Sequence, residues 1–192
     1  NNGVNIRATT NNSVTIGNAV TLQGNLTIGS AQTQLLTFNG PITLTGASRT
    51  ITTNASGTTW LSGNIGEASA GLGLTKSGTG QIIVSGNNNY TGITTVSGGV
   101  LRLQSANALP GGIGVSGGTS ALTFNGGVIG LNVSDTFTRN LAAAGVVTGV
   151  NFTGAGGWAG YGADRVVNLN NDSHVIDWGA ADTGFNGQTL IL

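Results

Sequence analysis

The pattern that most constrains this chain is a short run of alternating apolar residues closed by glycine, Asn-Gly or Ser-Gly, recurring along most of its 192 residues. Val14-Thr15-Ile16-Gly17, Val20-Thr21-Leu22-Gln23-Gly24, Leu26-Thr27-Ile28-Gly29 and Ile42-Thr43-Leu44-Thr45-Gly46 are typical. A period of two with β-branched residues specifies strands, and the punctuation specifies turns. The nearest approach to a helical stripe, Asn140 to Val147, is short and carries Gly145 inside it. The chain therefore reads as all-β.

Short, closely spaced strands with few outward charges fit a sandwich poorly, because longer strands there would show one wetted, charged face. They fit a β-solenoid, in which each turn contributes two or three short strands and stacks on the next. At roughly twenty-odd residues per turn, the expectation is about eight or nine turns and a rod roughly 40 Å long. Composition agrees. Gly, Thr, Asn and Ser make up about half the chain, and only 6% of residues are charged, against about 25% in an ordinary domain. Stacked turns place like side chains above one another, which favours Thr, Asn and apolar columns and disfavours charge. Gly and Asn suit the corners, while Pro, which removes a ladder donor, occurs only as Pro41 and Pro110.

Internal repetition is imperfect. Leu36-Thr37-Phe38-Asn39-Gly40 reappears as Leu122-Thr123-Phe124-Asn125-Gly126, and Ser-Gly corners fall at irregular intervals. Thr-x-Thr runs such as Thr43-Leu44-Thr45 do not recur at a fixed period.

With zero net charge and 38% apolar residues the chain should fold. Six dispersed cations make no nucleic-acid patch, and no apolar run is long enough for membrane insertion. The absence of Cys excludes disulfides, Cys-ligated zinc and a cysteine nucleophile. With no Met, a start at Asn1-Asn2-Gly3 and a final Thr189-Leu190-Ile191-Leu192 that reads as mid-strand, the 192 residues are expected to be one solenoid segment of a longer chain or polymer.

Residues 74–103 carry a longer motif: Leu74-Thr75-Lys76-Ser77-Gly78-Thr79-Gly80, then Ser85-Gly86-Asn87, Tyr90-Thr91-Gly92, Thr94-Thr95-Val96, and Gly99 with Leu101. This closely resembles the autotransporter-associated β-strand repeat of bacterial passenger domains, with Ile93 where a second Gly is common and Gln81 where Thr is common. The resemblance implies a right-handed parallel β-helix at the bacterial cell surface, with Gly78, Gly80, Gly86, Asn87, Gly92 and Gly99 at the corners. The stretch from Phe152 to Leu192 resembles segments that follow such repeats in very large surface proteins.

Charge is unevenly placed. Residues 1–134 hold Arg7, Arg49, Lys76 and Arg102 against Glu67; residues 135–192 hold Arg139 and Arg165 against Asp135, Asp164, Asp172, Asp177 and Asp182. Half of the aromatics also fall after residue 151, so the irregular, Asp-rich stretch 150–192 is where a site is sought. Trp158, Tyr161 and Trp178 are candidate glycan contacts. A carboxylate pair there, or His174 beside Asp172 and Asp177, would suit a β-helical polysaccharide-degrading enzyme, although only Arg165 is nearby to hold a sugar acid. Gly160-Tyr161-Gly162-Ala163-Asp164-Arg165-Val166 fits most of a calcium nonapeptide, but calcium needs consecutive copies and the next nine residues do not repeat it. Gly112-Ile113-Gly114-Val115-Ser116-Gly117 has dinucleotide-binding spacing but opens no helix.

The expectation is a non-enzymatic, extracellular stalk or fibre subunit with no cofactor and no metal. Its partners would be other copies or neighbouring segments of the same protein, stacked along the axis. The rivals are an adhesin that binds host or matrix glycans and the polysaccharide-degrading enzyme.

Overall fold

A computed structural model describes residues 4–7, 12–29, 35–54, 56–114, 120–142, 149–169 and 189–191. Alternation sorts the side chains: Leu26 and Ile28 are buried with Thr27 half-exposed between them, and Leu101 and Leu103 are buried with Arg102 between them. All the strand pairings among the described residues are parallel and join one circuit of the chain to the next. The protein is a β-solenoid.

Its first ladder stacks seven described strands: Val4–Arg7, Leu26–Gly29, Arg49–Thr53, Leu74–Ser77, Thr94–Val96, Leu122–Phe124 and Val150–Phe152. The second stacks eight: Val14–Ile16, Leu35–Phe38, Thr58–Leu61, Gln81–Val84, Val100–Leu103, Val128–Leu131, Gly156–Gly160 and Leu190–Ile191. On the third side Val20–Leu22, Ile42–Leu44 and Ile65–Glu67 pair, and farther along Phe137–Arg139 pairs with Val167–Leu169. The first ladder holds fewer described strands than the expected eight or nine turns because its later circuits are longer than twenty-odd residues. Successive partners lie 22 residues apart from Val4 to Leu26, 25 from Thr50 to Thr75, 20 from Leu74 to Thr94, and 28 from both Thr94 to Leu122 and Leu122 to Val150.

Corners absorb that variation while strand register is kept. Thr50, Thr75, Thr95 and Thr123 therefore form one column, and Thr27, Thr52 and Ser77 the next, with the Thr52 and Ser77 hydroxyls 2.7 Å apart. Threonine columns thus exist in register although Thr-x-Thr runs follow no fixed period in the sequence. Conversely, the repeated Leu-Thr-Phe-Asn-Gly segments are not equivalent, since Leu36-Thr37-Phe38 lies in the second ladder and Leu122-Thr123-Phe124 in the first. A strand closed by an Asn-Gly corner serves on either side, so it does not mark the unit of repetition.

One corner column is made of glycine because successive backbones touch. A Cβ on Gly40 would lie 2.0 Å from the Asn18 carbonyl oxygen, one on Gly63 1.9 Å from that of Gly40, and one on Gly86 2.2 Å from that of Gly63. The third side changes construction after Ile65–Glu67. There the buried Asn88 stands in for a strand: its Oδ1 accepts from the Ile65 amide at 2.7 Å and its Nδ2 donates to the Ala108 carbonyl at 2.7 Å.

Cations hold carbonyls. Arg49 donates through Nε to Leu22 O at 3.0 Å and through Nη2 to Thr45 O. Arg165 donates to Leu131 O at 3.2 Å and Tyr161 O at 2.8 Å. Lys76, 1% exposed, donates from Nζ to the carbonyls of Ser77 (2.8 Å), Gly78 (3.0 Å) and Gly98 (3.0 Å), tying two adjacent turns together. Arg139, fully buried, donates to Ser120 O, to Pro110 O at 2.9 Å and to Gly112 O at 2.7 Å.

Burial pulls the Lys76 ammonium down from 10.5 to about 8. Between those values the unfolded chain holds a proton that the folded protein has released, so stability rises with pH. Above pH 10 the buried Tyr90, pushed up to about 12 mainly by desolvation, acts in the opposite sense. Thermal melts should thus show stability rising from pH 8 to 10, by at most about 1.4 kcal/mol per pH unit. The same melts on Lys76→Met should be flat in that window; a rise of equal slope would show that Lys76 is not its source.

Candidate functional site

Among the described residues no three or more of His, Cys, Asp and Glu come close enough to hold a metal ion. Open hollows among the described residues include two of similar size. One, about 390 Å³, runs along the buried Ile113, the half-buried Ala106 and the exposed Asp135. The other, about 470 Å³, lies beside Trp158, Asp164 and Arg165.

The candidate aromatics separate. Trp158 is 5% exposed and sits in the core, its ring centroid 4.9 Å from that of Phe124, 5.5 Å from Phe137 and 6.0 Å from Phe152. Phe124 and Phe152, direct register partners, stack at 4.7 Å. This aromatic plug fills the wider later turns, so the Trp158 indole faces the interior rather than a sugar outside. Trp178 lies outside the described residues, as do Asp172, His174 and Asp177. Asp164 is exposed, and Arg165 beside it is engaged with main-chain carbonyls.

Tyr161 is half-buried on the outer face of the second ladder, where it meets residues that the sequence reading did not single out. Trp60, Ile83 and Arg102 occupy one outward column, as consecutive register partners. Strand spacing puts neighbours in that column about 4.8 Å apart. Trp60 donates its indole N–H to Ser85 Oγ at 2.8 Å, which ties the ring to the neighbouring turn. The next position in the column is Gly130, and the Tyr161 ring takes the vacant space: a Cβ on Gly130 would come within 2.8 Å of Tyr161 Cε2. Tyr161 then reaches back over Arg102, whose guanidinium carbon is 4.5 Å from the ring centroid, and its hydroxyl donates to Gln81 Oε1 at 3.3 Å. With its amide turned to satisfy its neighbours, Asn132 donates to Tyr161 O at 3.2 Å and accepts from Arg102 Nη2 at 2.9 Å. The result is a half-exposed strip of indole, aliphatic chain, guanidinium and phenol along the solenoid axis. Its signal was present in the sequence, because Thr59 and Leu61 point inward and alternation sends Trp60 out.

The motif glycines take up corner positions. Gly78 and Gly99 have φ of 76° and 59°, which favours glycine, and Cβ atoms there would lie 2.4 Å from Thr53 O and 2.2 Å from Gly80 O. Gly80 is buried and donates to Thr53 O at 2.8 Å. Gly86 continues the glycine column, Gly92 packs against the Leu72-Gly73 backbone, and the Asn87 amide donates to Asn64 Oδ1 at 2.8 Å.

The model of the passenger-associated-transport-repeat matches residues 74–103. Those residues run from the strand Leu74–Ser77 through Val100–Leu103 and include the 20-residue step from Leu74 to Thr94, the shortest measured along the first ladder. Among curated proteins, the adhesin BmaC autotransporter of Brucella suis biovar 1 (strain 1330) is 35% identical over 125 residues, a match covering 59% of this chain and 4% of that protein. The chain thus spans a small fraction of the relative's length. No solved structure matches.

Proposed function

We propose that this β-solenoid, which carries an autotransporter passenger-type repeat, is a rigid stalk segment of a secreted bacterial surface protein. Its partners on this reading are neighbouring segments of the same protein stacked along the axis. The observation that carries the proposal is how the charged residues are used. Lys76 and Arg139 are buried on main-chain carbonyls, and Arg49 and Arg165 also bind carbonyls of the preceding turn. Cations that clamp turns together serve stiffness.

The adhesin reading is favoured by a separate observation, the outer strip of Trp60, Ile83, Arg102 and Tyr161, and by the likeness to the Brucella adhesin. The two readings are compatible, since a stalk can also adhere along its side. The test is immunogold electron microscopy with antibody raised against these 192 residues, applied to intact cells of the organism that makes the protein. Label on thin projections from unpermeabilised cells is the expected result. Label that appears only after permeabilisation would sink the proposal.

A further inference from the structure

We propose that the outer strip of the second ladder binds an extended, carboxylate-bearing polysaccharide, laid along the solenoid axis over Trp60, Ile83, Arg102 and Tyr161. The proposal deepens the adhesin reading and rests on it for biological setting only.

Three features of the strip carry it. First, both rings are held in place before any ligand arrives, Trp60 by Ser85 and Tyr161 by the gap at Gly130, by Arg102 and by Gln81. Flat aromatic rings match the C–H faces of pyranose sugars, and immobilising them in advance lowers the ordering cost of binding. Second, Arg102 makes no ion pair with a described carboxylate; its Nε is buried and its Nη2 is held by Asn132, which leaves the Nη edge as the part of the guanidinium that a ligand would meet. A guanidinium is a forked donor suited to a carboxylate, so a uronic acid seated between the two rings complements it. Third, the strip is open and runs across consecutive rungs at about 4.8 Å. That shape suits a chain with repeated weak contacts better than one enclosed sugar. It also presents only four side chains, far short of the roughly 800 Å² per partner that a stable protein interface buries.

Binding is measured by tryptophan fluorescence and calorimetry on the whole chain, with a hyaluronan hexasaccharide as the uronate-bearing β-linked probe and cellohexaose as the neutral one. The hyaluronan probe should bind more tightly and weaken with salt. Trp60→Ala should reduce its affinity tenfold or more. Arg102→Gln should bring it down to the level of cellohexaose, and Gly130→Val, which displaces the Tyr161 ring without touching the core, should weaken both probes. Circular-dichroism melts confirm that each variant is folded. No binding of either probe, equal binding of both by the unmodified chain, or unchanged affinity in Trp60→Ala overturns the proposal. None of these results bears on the surface stalk, which labelling of intact cells decides.

Discussion

Gly63→Ala should be among the most damaging single substitutions in this protein, costing about 4 kcal/mol or more, while Gly24→Ala should be neutral or slightly stabilising. Both change glycine to the smallest chiral residue, and both positions are close to strands. The difference is what the new methyl meets. At Gly63 the added Cβ lies 1.9 Å from the Gly40 carbonyl oxygen, 2.6 Å from its carbon and 2.9 Å from Asn39 O, all main chain. Neither turn can yield without breaking the bond from the Gly63 amide to Phe38 O and the adjoining ladder. At Gly24 nothing lies within 4 Å. Alanine there removes unfolded-state freedom, typically a gain of about 0.4–1 kcal/mol where the backbone is compatible. Thermal melts and limited proteolysis of the two variants decide the matter. Equal melting temperatures would show that the glycine column is a habit of composition rather than a packing requirement.

Arg139→Leu is the second large effect. The guanidinium spans three carbonyls, on Pro110, Gly112 and Ser120, and is fully buried. Desolvation draws its pKa down to about 10, with an opposing pull from Tyr90, so the charged form persists at neutral pH. Leucine fills much of the volume and supplies no donor, leaving three buried acceptors. At about 1–3 kcal/mol for each unsatisfied group, partly relieved by relaxation, the loss should be about 3–5 kcal/mol. For a chain of this size that lowers the melting temperature by roughly 10 °C or more. Because stacked turns contact chiefly their neighbours, the loss should be local. Amide exchange should accelerate around residues 106–113 and 120–124 and remain slow in the first four turns; uniform acceleration would refute local coupling.

Much of this architecture is legible in the residues. Alternation located strands such as Val14–Ile16, Val20–Leu22, Leu26–Gly29 and Ile42–Leu44, and Gly and Asn marked their closures. Even the buried cations had a trace, since Lys76 shares its face with Leu74, and Arg139 shares its face with Phe137. What stayed hidden depends on stacking between turns. Turn lengths differ because loops vary while strands stay in register, so no fixed period marks the threonine columns. The inward Trp158 sits in Gly156-Gly157-Trp158-Ala159-Gly160, where small neighbours give no apolar alternation to show which way it faces. Tyr161 meets Gln81 across 80 residues through the space left by Gly130, a contact that no local pattern encodes. Of the candidate aromatics, Trp158 points into the core and Tyr161 lies on the outer face, while Trp178 falls outside the described residues.

Unequal circuits also give the protein a mechanical signature. A chain drawn from one end of a stack peels away circuit by circuit, and each rupture frees the contour stored in that circuit. The circuit opening at Leu74 holds 20 residues and the one opening at Leu122 holds 28. At about 3.3–3.6 Å per extended residue these correspond to roughly 70 Å and 100 Å of slack. A stack built this way lengthens in unequal steps under load, with its shortest step in the passenger-type repeat.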